Sequence, residues 1–131
     1  MYRLLLFLVL FACQTEPSLE TQLSGNAGKC WHLKKIVRLN ENIEEKKDFQ
    51  VLQFYANHKL VEYRFDKQQL KKVQYTCYIP PQKWKLKSKN QLLLNDEIFT
   101  ILKLTQNHMV LYSKGRNLKL LYGRYKRKTE H

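Results

Sequence analysis

The sequence predicts an all-β fold: a small antiparallel up-and-down β-barrel of about eight strands over residues 29–126. Three observations carry this expectation. After residue 28, apolar and polar residues alternate at period two along run after run. The breaks between runs are short and polar, as at Asn57-His58-Lys59, Ser88-Lys89-Asn90, Gln106-Asn107 and Gly115-Arg116-Asn117, and short connections join antiparallel neighbours. No long amphipathic helical segment separates the runs, so the crossovers that parallel strands need are missing.

The chain ahead of the barrel has a different texture. Met1-Tyr2-Arg3 carries one positive charge, Leu4 to Phe11 is unbroken apolar sequence, and the small residue Ala12 precedes Cys13. These are the n-region, h-region and cleavage site of a signal peptide over residues 1–12. As a helix the apolar stretch spans about 14 Å, too short for a bilayer core of roughly 30 Å. Leu10-Phe11-Ala12-Cys13 resembles the lipobox of bacterial lipoproteins. That resemblance implies a thiol acylated with long chains such as palmitate, cell-envelope localisation, and membrane attachment through Cys13. Gln14, where an aspartate would mean inner-membrane retention, implies the outer membrane. Residues 13–28 are polar, with Pro17, Gly25 and Gly28, and read as the lipidated N-terminus and a flexible tether.

The candidate strands are 29–38, 49–56, 60–66, 70–79, 82–87, 91–95, 97–105, 108–114 and 117–126, with 127–131 left as a basic tail. Residues 41–48 are the only place for a helix, and with Ile43 as their sole apolar residue they read better as a loop or single turn. Trp84 and Leu86 alternate with Lys83, Lys85, Lys87 and Lys89, giving one apolar and one cationic face. Val61, Tyr63 and Phe65 alternate with Glu62 and Arg64 in the same way. Taking every apolar face as the barrel interior gives Phe54, Val61, Tyr63, Phe65, Val73, Tyr75, Trp84, Leu86, Leu92, Ile101, Leu111, Leu118 and Leu120. Of these, Phe54, Tyr63, Phe65, Tyr75, Trp84, Leu86, Leu111 and Leu120 are the candidate cavity lining. Eight strands are just enough either to be filled by side chains or to hold one small ligand, and both remain open.

Gly28-Lys29-Cys30-Trp31-His32-Leu33-Lys34-Lys35-Ile36 resembles the first strand of lipocalin-like domains, although the glycine lies three residues before the tryptophan here instead of two. Leu52 to Asn57 resembles their second strand, and Trp84-Lys85-Leu86, Leu92 to Leu94, Ile98 to Thr105 and His108 to Tyr112 resemble their later half. The pattern is similar to the small lipocalin-like lipoproteins of Bacteroidetes-type bacteria. The resemblance implies an arginine near the end of the last strand packed on the first-strand tryptophan, which would set Arg124 over Trp31.

The net charge is +13, from 24 Lys and Arg against 11 Asp and Glu. Such a chain attracts anionic surfaces, and Lys83, Lys85, Lys87 and Lys89 make its best basic stripe. Export makes nucleic acid an unexpected partner. No Gly-x-Ser-x-Gly elbow, phosphate loop or His-Glu-x-x-His occurs, and His32, His58, His108 and His131 lack partners at ligand spacing. No enzyme activity, cofactor or metal is therefore expected. Strand parity sets Cys30 outward and Cys77 inward, which favours free thiols over a disulfide. The expected function is a monomeric, lipid-anchored envelope protein whose barrel binds a small apolar or anionic amphiphilic ligand. The alternative is a filled barrel that docks on anionic envelope surfaces or an acidic partner through its basic exterior.

Overall fold

A computed structural model describes residues 18–41, 43–46, 50–74 and 81–126. It contains one short helix, α1 (Leu19–Ser24), and the strands β1 (Lys29–Arg38), β2 (Ile43–Lys46), β3 (Gln50–Phe54), β4 (Leu60–Asp66), β5 (Gln69–Lys72), β6 (Trp84–Ser88), β7 (Gln91–Leu94), β8 (Glu97–Leu104), β9 (His108–Ser113) and β10 (Leu118–Tyr125). All pairings are antiparallel, and the sheet runs β5-β4-β3-β1-β10-β9-β8-β7-β6. The expected all-β meander is therefore present, with the first strand seated beside the last.

The sheet curls until the start of β6 reaches the start of β4. Lys59 bridges Lys83, the Leu60 amide donates to the Gln82 carbonyl at 3.1 Å, and the Trp84 amide donates to the His58 carbonyl at 3.0 Å. The free edge of β4 is thus shared between β5 along its later half and the start of β6 at its beginning. Asn57 and His58 make the tight turn into β4, His58 at a φ of 72°. Its ring stacks on Trp84 at 4.7 Å, and the Trp84 indole donates to the Tyr55 carbonyl at 2.8 Å. This aromatic lock holds the closure.

Three segments differ from expectation. The strand expected over 70–79 is β5, which ends at Lys72; Val73 and Gln74 lie beyond it, and 75–80 fall outside the described residues. Residues 43–46 form β2, which pairs with Lys35 to Arg38 of β1. The cause is an edge left vacant: β3 covers β1 only at Lys29 to His32, so the upper half of the strand needs another partner. A Lys35–Glu44 ion pair at 2.6 Å adds a small surface term. The tether expected over 13–28 reaches residue 18 at the furthest, because Leu19–Ser24 is helical and Leu23 is fully buried. Residues 13–17 lie outside the described residues. The helix is locally encoded after all: the Ser18 hydroxyl accepts from the Thr21 amide at 3.2 Å, Glu20 lies in the first turn, and Gly25 ends it at a φ of 61°.

The two cores lie on opposite faces of the sheet. Inside the barrel, Trp31, Phe54, Trp84, Leu92, Met109 and Leu111 are at most 1% exposed and pack with Leu23. On the outer face, Cys30, Val51, Val61 and Tyr63 form a second buried cluster with Tyr55, Phe65, Leu70 and Tyr125 against it. Cys30 does face outward, as parity requires, but it is buried there; Cys77, like Tyr75, lies outside the described residues.

Candidate functional site

The ends of the barrel are built differently. At the end where β1 begins and β3 finishes, α1 is the plug. The Trp31 indole donates to the Leu23 carbonyl at 2.9 Å, and Lys29 donates to the Gln22 carbonyl at 2.9 Å. Gly28 makes this close approach possible. At a φ of 91°, with Tyr55 ring carbons 2.8 and 2.9 Å from where a Cβ would stand, any side chain here would be strained and would push the ring aside. The cation over the Trp31 ring is Lys29, 4.4 Å from its centroid, in the place expected for Arg124. Arg124 does sit opposite Trp31 in the ladder. Burial, then the Arg124 charge, pushes the Lys29 ammonium down to about 8.

The opposite end holds a pocket of about 320 Å³, open on one side. Its floor is apolar, made by Leu33, Ile36, Leu52, Leu60, Leu94, Phe99 and Leu120. Its walls are polar, made by Gln50, Glu62, Arg64, Gln82, Asn95, Glu97 and Arg116. Tyr122 completes it. The volume lies at the small end of the ~300–1,000 Å³ typical of ligand pockets. Filling and cavity therefore coexist: large aromatics fill the plugged half, and the other half stays open.

Two charge pairs shape the pocket. Glu97 receives Arg116 side-on, Nε to Oε2 at 3.0 Å and Nη2 to Oε1 at 2.7 Å. The buried Ser113 hydroxyl donates to the same carboxylate at 2.9 Å, and its oxygen accepts the Arg116 amide at 3.3 Å. Glu97 is thus tied from strand and turn together, and the Arg116 guanidinium lies 5.8 Å from the Phe99 ring centroid. On β4, the Glu62 side chain is only 12% exposed and accepts from Gln50 at 2.9 Å and from Arg64 at 3.2 Å.

The sequence-expected lining is divided by this arrangement. Phe54, Trp84, Leu86 and Leu111 face the interior but belong to the packed core, and among the described members of the expected set Leu120 alone lines the pocket. Tyr63 and Phe65 face the other way. They join the outer cluster, where Phe65 lies 5.3 Å from the His32 ring and 5.8 Å from Tyr125, and the Tyr63 hydroxyl donates to Gln53 at 2.9 Å. The pocket side of β4 carries Glu62 and Arg64 instead. The alternation along 60–66 sets Glu62 and Arg64 on the polar face of their strand, and the sequence gives Glu97 and Arg116 no role. No local signal marks them, because Glu62 and Arg64 lie within β4 while Glu97 opens β8 and Arg116 sits in a turn. Lys83, Lys85, Lys87 and Lys89 are all exposed. Among the described residues, no group of three His, Cys, Asp or Glu side chains gathers at metal-binding distance.

No protein-family model matches the chain, and no curated protein matches it. Among solved structures, a lipocalin-like protein from Bacteroides uniformis superposes with a TM-score of 0.58 at 15% identity, covering 79% of this chain and 99% of that one. At that identity the likeness speaks for architecture alone: the fold is a lipocalin-like antiparallel barrel.

Proposed function

We propose that this chain is a non-catalytic, ligand-binding protein of the cell envelope, held to the outer membrane by acyl chains on Cys13. Its ligand would be a small amphiphile seated in the pocket at the open end of the barrel. The observation that carries the reading is the pocket itself, about 320 Å³ with a leucine-lined floor and charged walls. Apolar surface for a ligand's body and a few fixed polar groups for its head are what such sites require. Binding is favoured over catalysis because both pocket carboxylates are engaged by arginines. The anchor reading rests on the apolar leader and the residues before Cys13.

One preparation tests both parts. Protein extracted from cells fed labelled palmitate carries label, and Cys13→Ser abolishes it. Native mass spectrometry of the extracted protein shows a retained small molecule, released on denaturation. Label that persists in Cys13→Ser sinks the anchor, and a bare mass with no retained molecule counts against the ligand.

A further inference from the structure

The polar groups in the pocket discriminate among ligand heads. Each arginine there already faces a glutamate, Arg116 on Glu97 and Arg64 on Glu62. An incoming carboxylate would have to share a guanidinium with its glutamate while standing near the other acid. In a site partly withdrawn from water, that like-charge approach is unfavourable. An ammonium meets the mirror problem at the two guanidinium groups. A neutral head meets neither.

Tyr122 supplies a second, independent observation. Its side chain is 4% exposed and reaches the pocket from β10. Its hydroxyl makes no hydrogen bond to any other described residue. Burial, with the Glu62 and Glu97 charges reinforcing it against Arg116, raises its pKa, so it stays protonated and can donate. With no bond to a described residue to break, it can donate to a ligand oxygen in the pocket. Glu62 and Glu97 line the same pocket, and a carboxylate can accept several hydrogen bonds.

We propose that the pocket selects a neutral amphiphile with a polyhydroxylated head, one oxygen accepting from Tyr122 and its hydroxyls donating to Glu97 and Glu62. Glycerol and sugar heads share this chemistry. The inference rests on the pocket being the ligand site, as proposed above.

The test uses the full chain in phosphatidylcholine nanodiscs, titrated calorimetrically with hexyl glucoside, monohexanoylglycerol, hexanoate and hexylammonium, with empty discs subtracted. One neutral probe is expected to bind about tenfold or more tighter than either ion, and the tighter of the two names the head. Tyr122→Phe is expected to weaken that probe about five- to tenfold while leaving the unliganded melting temperature nearly unchanged. Hexanoate or hexylammonium binding as tightly as the neutral probes overturns this inference and leaves the pocket reading standing. Unchanged affinity in Tyr122→Phe overturns the role of the hydroxyl. No binding by any probe overturns the pocket reading as well.

Discussion

β4 and β6 carry the same kind of sequence and turn it in opposite directions. Each alternates apolar with charged residues. In β6 the apolar set enters the barrel: Trp84 is 1% exposed inside it, and Lys85 and Lys87 stand in solvent. In β4 the apolar set leaves it: Val61 and Tyr63 pack outside with Cys30 and Val51, and Glu62 and Arg64 face the pocket. Alternation reports that one face of a strand is dry, and it is silent on which side of the sheet that face lies. The outer face of β6 meets water, whereas that of β4 continues a buried surface running across β3 and β1. The pocket is polar because β4 gives its apolar residues to the other core.

That contrast can be broken experimentally, and the largest effect belongs to β6. Trp84→Ala removes the ring packed on Phe54 and His58 and the indole bond that locks the closure. A loss of about 3–5 kcal/mol is expected by urea unfolding. A loss under about 1 kcal/mol would mean that β6 does not close the barrel.

Tyr63→Ala sharpens the comparison on β4. A buried aromatic is lost from the outer cluster, so stability should fall by about 2–4 kcal/mol. Affinity for a pocket probe should stay within about twofold, because Tyr63 does not face the pocket. A drop in affinity beyond the folded fraction would show that β4 presents its aromatic face inward.

The smallest effect concerns the plugged end, where the partly buried Lys29 ammonium stands near the Arg124 charge. Lys29 titrates near 8 in the folded protein against an ordinary 10.5. Between these values the unfolded chain binds more protons, so stability rises with pH from about 8 towards 10. Above 10 the raised Tyr122 pKa works in the opposite sense, since the unfolded phenol ionises first. The urea midpoint should therefore climb modestly from pH 8 to 10, and Lys29→Met should flatten the climb. A wild-type midpoint that falls across this window would place the ammonium on a stabilising partner.

Most of the architecture was legible in the chain. The runs 29–38 and 60–66 are strands with those bounds, and β6 to β10 fall within two residues of expectation, because period-two patterning and asparagine turns are local signals. β2 was not legible: Ile43–Lys46 has no strand pattern of its own and is recruited by the vacant edge of β1. The helix was legible but overlooked, its Ser18 cap and Gly25 stop being present in a segment too short to show periodicity.

By itself the sequence determined the all-β class and the strands other than β2, since these depend on neighbours in the chain. Only the tertiary structure decided the site. Glu62 and Arg64 from β4, Glu97 from β8, Arg116 from a turn and Tyr122 from β10 meet because the sheet closes with a stagger that no local pattern records. Which face of β4 is inside was decided by what covers the other face, and burial of that kind is a property of the assembled sheet.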